Sequence, residues 1–302
     1  MNAAAQGSEP VRYRLAVLAL WGAPVLWTVN LIIARKAPGL VDPYTLAFGR
    51  WLIAAVVLVA LSWQELWGKR AEVLRQWRHF VVLGFCGMLV CGAWVYLGAQ
   101  STVAMNIALI YAASPVLIGL GAVLWLGERM RPTQVAGVVL AMAGVVHVVV
   151  QGRWTALAQV QWVAGDWWIV AAMVAWAAYA LLQKLWPSSL GDSARLAAIS
   201  LGGVLTLLPG MVWEQMSATH LPVTAEALAI MALAALVPGV GAYWIYGWAQ
   251  KILGASRVAV TLYLGPLYAA VAAYAVLGES LGWQHIGGAA LILPGVWLVS
   301  RR

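Results

Sequence analysis

The sequence predicts an all-α integral membrane protein with ten transmembrane helices arranged as two inverted five-helix repeats. Three observations lead there. Of 302 residues, 64% are apolar and 9% charged, with a mean hydropathy of +0.86, which is more apolar surface than a soluble domain of this length can bury. Apolar runs recur along the chain, each near the ~20 residues that cross a hydrocarbon core. The chain also repeats itself: Ala104, Ala108, Pro115, Leu126-Gly127-Glu128, Gly137, Leu140 and Gly144-Val145 reappear as Ala255, Ala259, Pro266, Leu277-Gly278-Glu279, Gly288, Leu291 and Gly295-Val296. A repeat of five spans is odd, so its second copy enters the bilayer from the opposite side. Residues 1–152 form the first repeat and 153–302 the second.

The spans lie at about 15–34, 44–63, 79–98, 103–126, 133–150, 166–184, 194–212, 225–248, 256–277 and 283–300. The first follows Arg12 and Arg14 as a signal peptide would, but it is too long, lacks a small-residue cleavage site and runs into Arg35-Lys36, so it is retained. Asp42-Pro43, Arg131-Pro132-Thr133 and Gly191-Asp192-Ser193 are helix starts. Cys86 and Cys91 share the third span without CxxC or metal-ligand spacing and are packed thiols. Pro115 and Pro266 interrupt the fourth and ninth spans, which is tolerated at membrane depth where a helix is buried in protein or lines a wet cavity. Gly137 and Gly144, matched by Gly288 and Gly295, recur at heptad spacing and permit close helix approach.

Charge sets the orientation. With the N-terminus in the cytoplasm, fourteen of the 18 Lys and Arg residues lie inside, only Arg35, Lys36 and Arg153 lie outside, and Arg50 sits within span two. Both termini are therefore expected in the cytoplasm. The net charge of +8 forms no basic face, so no nucleic-acid partner is expected. All ten acidic residues (Glu9, Asp42, Glu65, Glu72, Glu128, Asp166, Asp192, Glu214, Glu226 and Glu279) fall at termini, loops or span ends, which leaves no mid-membrane carboxylate for a proton relay. Glu128, Glu279 and His147 are expected to face headgroups. No HExxH, GxSxG, paired carboxylates or His/Cys cluster is present, so no catalytic residue, metal or cofactor is expected.

Polar and aromatic residues inside apolar spans mark candidate binding positions. Trp27 and Asn30 are three apart in span one, as are Trp176 and Tyr179 in span six. Trp27 precedes Arg35, and Trp176 precedes Lys184, by eight positions, so the two tryptophans match as repeat equivalents. Asn106, Tyr111 and Ser114 precede Pro115; Thr261 and Tyr263 precede Pro266; Tyr243 follows Pro238-Gly239 in span eight. Against this stands the bland alternative that most of the 19 tryptophans are core or interfacial. Arg50 either binds a substrate carboxylate or holds the bundle together, and a peripheral span two favours the second.

Several of these segments carry a resemblance. Trp27-Thr28-Val29-Asn30 through Arg35, Thr45 through Trp51, Asn106 with Ser114-Pro115, and Leu126-Gly127-Glu128-Arg129 resemble the EamA-type family of the drug/metabolite transporter superfamily. So do Trp176 through Lys184, Gly254-Ala255-Ser256-Arg257, Leu264-Gly265-Pro266 and Leu277-Gly278-Glu279, and the likeness covers essentially the whole chain. More distantly, Trp176-Ala177-Ala178-Tyr179 is similar to bacterial aromatic amino-acid exporters, which carry an aromatic pair before the first proline, where this chain has Tyr111-Ala112-Ala113-Ser114 ahead of Pro115. The resemblance implies two inverted repeats, a central cavity, and export of small metabolites or amino acids by alternating access. The expectation is a bacterial inner-membrane exporter of amino acids or related compounds, a monomer or weak homodimer without cofactor. Its partners are the bilayer and a small-molecule substrate contacted by Trp27, Asn30, Asn106, Tyr111, Ser114, Trp176, Tyr179, Tyr243, Thr261 and Tyr263. The alternatives are a facilitative uptake carrier or channel, and an intramembrane lipid-modifying enzyme.

Overall fold

A computed structural model describes residues 3–277 and 281–300, without the side chains of 3–10, 31, 34–35, 104, 273 and 276–277. The expectations for Gly278, Glu279, Arg301 and Arg302, and for the side chains of Glu9 and Arg35, lie outside the described residues. Among those described, all regular structure is helical. Eight helices are long and apolar enough to cross a membrane: α2 Pro43–Gly68, α3 Trp77–Ala99, α4 Met105–Leu126, α5 Pro132–Val149, α6 Ala164–Leu185, α7 Asp192–Met216, α8 Ala225–Leu253 and α9 Ala255–Ala272. The first and tenth expected spans fall in α1 (Ala3–Lys36) and α10 (Trp283–Ser300), helices that are not among those eight. The chain is a multi-pass membrane protein.

Several helix irregularities have local causes. Asp42 is extended and Pro43 opens α2, where a missing N–H is harmless. In α4 the helix Ala104–Tyr111 gives way to a turn before Ser114–Leu126, because Pro115 has no N–H and its ring blocks the preceding turn. In α9 the same break takes the form of a 3-10 turn, Thr261–Leu264, ahead of Pro266. Both α3 and α8 carry a π-helical stretch, Phe85–Trp94 and Ala235–Ala242. Pro238 explains the second: it cannot donate to the Ala234 carbonyl, and the wider register lets the following amide do so. Phe85–Trp94 contains no proline and has no comparable cause.

By contact density the chain forms two interleaved units, 1–28 with 112–160 and 245–302, and 29–111 with 161–244. This division differs from that of the sequence repeats, since each unit draws on both halves. In the first unit α5 and α10 meet at the four heptad glycines: a Cβ on Gly137 would stand 2.6 Å from the Gly295 oxygen, and one on Gly144 would stand 2.9 Å from the Gly288 oxygen. Gly137 and Gly144 are the repeat equivalents of Gly288 and Gly295, so the contacts are reciprocal, and the helices run antiparallel. Around them Val138, Ala141, Val145, Ile292, Val296 and Val299 form the core.

Glu128 corrects an expectation. It does not face headgroups: its carboxylate accepts from the Ala255 and Ser256 amides at 2.8 and 3.2 Å and from Ser256 Oγ at 2.5 Å. The first amides of α9 have no helical partner, and an acid at a helix start satisfies them and opposes the helix dipole. Replacing Glu128 by Ala is expected to cost about 0.5–2 kcal/mol, the range for a lost cap, and to lower the melting temperature in detergent while the folded fraction still transports. A melt unchanged from wild type would contradict this role.

In the second unit α2 packs along α7, and α3 packs against α6 and α7. The closest approach is at Gly84, where a Cβ would stand 2.2 Å from the Gly203 nitrogen. Glu214, near the end of α7, accepts from the Tyr44 and Thr45 amides at 2.9 and 2.8 Å, capping α2 as Glu128 caps α9. Arg195 Nη2 donates to the Gln183 and Trp186 carbonyls at 2.6 and 2.8 Å and closes the C-terminus of α6. Outside the spans, Glu72 accepts from the Ser189 hydroxyl and, at 3.0 Å, from its amide, and these bonds hold its carboxyl below the usual carboxylate range.

Candidate functional site

The second unit holds a buried aromatic group built from four helices. Trp176 and Tyr179, one turn apart on α6, stack at 5.4 Å, and Tyr243 of α8 meets them edge-on at 5.5 and 5.8 Å. Trp51 of α2 meets Tyr243 at 4.9 Å. The fourth wall is the π-helical stretch of α3. There the Gly87 carbonyl accepts the Tyr243 hydroxyl at 2.7 Å, and a Cβ on Gly87 would stand 2.7 Å from the Tyr179 ring. Glycine is therefore required at 87 for the ring to lie where it does.

A polar group adjoins this wall. Arg50 of α2 is 4% exposed, with its guanidinium 4.9 Å from the Trp51 ring centroid. Its Nη1 donates to Asn30 Oδ1 at 3.0 Å, and the Tyr96 hydroxyl donates to the same oxygen at 3.1 Å. Buried Arg50 Nε and Trp51 Nε1 have no hydrogen-bond partner among the described residues. A cation, an amide, a phenol and an aromatic surface thus stand together, an arrangement suited to a small molecule with one polar end and one apolar end.

Of the expected site residues, Trp176, Tyr179 and Tyr243 come together, and Asn30 joins them through Arg50 and Trp51. Tyr111 is half-buried where the first part of α4 ends. Asn106 donates to Asp166 Oδ2 at 2.8 Å and to the Gln161 carbonyl at 3.0 Å, while Asp166 also accepts from Thr102 Oγ1 and, at 2.9 Å, from the Val163 amide. Both donors of Asn106 are spent on tying α4 to the start of α6. Asn106→Ala should therefore destabilise the fold by about 1–3 kcal/mol through the acceptors it strands; a melt equal to wild type with reduced flux would instead make Asn106 a substrate contact.

The first unit holds Trp27, Ser114, Thr261 and Tyr263. Trp27 meets Tyr246 edge-on at 5.6 Å. Ser114 is buried with its Oγ unpartnered among the described residues, and Thr261 Oγ1 donates to the Val258 carbonyl at 2.7 Å. Tyr263 donates to the Ala112 carbonyl at 2.9 Å. That carbonyl lies in the break made by Pro115, so the polar group that the break exposes is satisfied by protein.

Trp51, Tyr96 and Gly87 were not expected in the site. The available signal was Arg50, since a buried arginine needs polar neighbours. Span two was expected to be peripheral. Instead α2 packs against α3, α7 and α8, and Arg50 caps no helix end among the described residues.

A helical multi-pass chain with a polar and aromatic group buried among its membrane-crossing helices has the construction of a membrane transporter. The chain belongs to the EamA-like transporter family, whose model matches residues 14–150 and again 163–301. It is 30% identical to a probable terminal-alkyne amino-acid exporter of Streptantibioticus cattleyicolor, over 85% of this chain and 84% of that one. It is 28% identical to an uncharacterized transporter of Archaeoglobus fulgidus, covering 92% and 94% of the two chains. It is 27% identical to the aromatic amino acid exporter YddG of Ancylobacter novellus, covering 91% and 96%. A crystal structure shares the fold with a TM-score of 0.72 at 21% identity, covering 94% of this chain and 96% of that chain.

Proposed function

We propose that the protein is a secondary transporter exporting small metabolites, amino acids or related compounds, by alternating access through a central cavity. The observation that carries this reading is the polar cluster of Asn30, Arg50 and Tyr96 beside the aromatic wall of Trp51, Trp176, Tyr179 and Tyr243. An amino acid has a charged end and a side chain that such a wall would cover. The names of the two exporter relatives favour the same substrate class. Asn30, Trp176, Tyr179 and Tyr243 are the expected residues on which the proposal now rests most heavily.

The proposed architecture is ten transmembrane helices as two inverted five-helix repeats, 1–152 and 153–302. It is supported by the reciprocal glycine contacts of α5 and α10, by π-helical stretches in both α3 and α8, and by breaks at equivalent prolines in α4 and α9. The charge bias supports two cytoplasmic termini in a bacterial inner membrane. On a background lacking Cys86 and Cys91, Thr219→Cys should react with an impermeant maleimide from outside the cell and Arg70→Cys only after lysis; the reverse pattern overturns the orientation. For the direction of transport, inside-out membrane vesicles carrying the protein should take up a radiolabelled amino acid, and uptake equal to that of vesicles without it would count against export.

A further inference from the structure

We infer that Arg50 is the anchor for a substrate carboxylate, held through the side-on edge of its guanidinium. The inference rests on the exporter reading and gives that site its charge selectivity. A guanidinium offers two bidentate edges, and here Nη1 is taken by Asn30. The edge left over, Nε with Nη2, is the one that matches the two oxygens of a carboxylate. Neither of its nitrogens has a partner among the described residues.

The charge balance agrees with this. No acidic side chain pairs with Arg50 among the described residues, although a buried cation among apolar helices is expensive to leave uncompensated. The acids nearest the span ends are committed elsewhere: Glu214 to the α2 amides, Asp166 to Asn106, Thr102 and Val163. Among the described residues, the one oxygen that bonds the cation is Asn30 Oδ1. Asn30 Oδ1 already accepts twice, and the Tyr96 hydroxyl is turned toward it as donor. Trp51 Nε1 is a second buried donor without a partner among the described residues, so the cluster has donors to spare.

Two glycines, one on α8 and one on α3, border these donors. A Cβ on Gly239 would stand 3.7 Å from Arg50 Nε, and one on Gly92 would stand 3.9 Å from Trp51 Nε1. What the cluster lacks is a small, planar anion with two oxygens. An amino acid supplies it, with its side chain directed along the aromatic contacts that run from Trp51 to Tyr243 and Trp176.

The test uses the full chain, purified and reconstituted, with the twenty proteinogenic amino acids and their amides as probes. Binding is read as a shift in melting temperature, and transport as counterflow. At least one amino acid should bind and exchange, while its amide, which lacks the carboxylate, should bind at least about tenfold more weakly. Arg50→Gln should weaken the acid by a similar factor and leave the amide unchanged; Arg50→Lys, which keeps the charge but loses the fork, should recover only part of the loss. Equal binding of acid and amide, a folded Arg50→Gln protein with wild-type affinity for the acid, or Arg50-dependent binding of orthophosphate alone would overturn the assignment and leave the exporter reading standing. Absence of counterflow for every amino acid would remove that reading, and this inference with it. If Arg50→Gln does not fold, the comparison of acid with amide on the wild-type protein decides.

Discussion

Gly84→Leu is expected to leave no stably folded protein. A Cβ at this position would lie 2.2 Å from the Gly203 nitrogen, 2.5 Å from the Gly202 carbonyl carbon and 2.7 Å from the Gly203 Cα. All three are backbone atoms, so no rotamer change can relieve the clash, and α3 must move away from α7. The contact is also closed from the other side, where a Cβ on Gly202 would stand 2.4 Å from the Phe80 oxygen. Overpacking a core costs about 1–3 kcal/mol when side chains can give way; here none can, and the separation would also strip packing from Leu83, Met88 and Leu207, which are all buried. Fluorescence-detected gel filtration of the solubilised protein checks this. A monodisperse peak with a wild-type melt would contradict the packing, and Gly22→Ala, where nothing lies within 4 Å of the new Cβ, is the control expected to be harmless.

Tyr243→Ala should have the second largest effect and should remove transport. The side chain is 6% exposed and its ring touches Trp51, Trp176 and Tyr179, so truncation opens a cavity at the centre of the aromatic wall. Loss of a buried aromatic costs about 3–5 kcal/mol. Tyr243→Phe separates the wall from the hydroxyl: it keeps the ring and removes only the donor to the Gly87 carbonyl, a loss of about 0.5–1.5 kcal/mol. The Phe variant should fold and transport with modestly changed flux. An Ala variant that exchanges substrate at the wild-type rate would dissociate the wall from function.

Much of the fold was legible because helix length and hydropathy are local properties. The expected spans 133–150 and 166–184 correspond to Pro132–Val149 and Ala164–Leu185, where Pro132 and Asp166 mark the first turns. The duplication marked Gly137, Gly144, Gly288 and Gly295 as positions of close helix approach, but not that they meet one another, Gly137 against Gly295 and Gly144 against Gly288. The π-helical stretch at Phe85–Trp94 had no such signal, and without it the Gly87 carbonyl that receives Tyr243 could not be anticipated. Glu128 and Asn106 show the general limit. Their position at a span end or a proline break could be read from the sequence, but their partners, Ala255 with Ser256 and Asp166, lie 127, 128 and 60 residues away. The neighbours of Arg50 were hidden for the same reason: its environment is set by which face of α2 meets α3 and α8, and α2 is apolar nearly all round.

The central proposal is that this chain carries amino acids or related compounds across the membrane by alternating access. Counterflow in proteoliposomes tests it most directly: vesicles are preloaded with one unlabelled amino acid, the same labelled compound is added outside, and no pH gradient is imposed. For at least one amino acid, label should enter transiently above its equilibrium level, saturate with concentration, and fail to do so in the Tyr243→Ala protein. Flux that never saturates, a sustained ionic current, or no entry above protein-free vesicles for any amino acid would contradict the account.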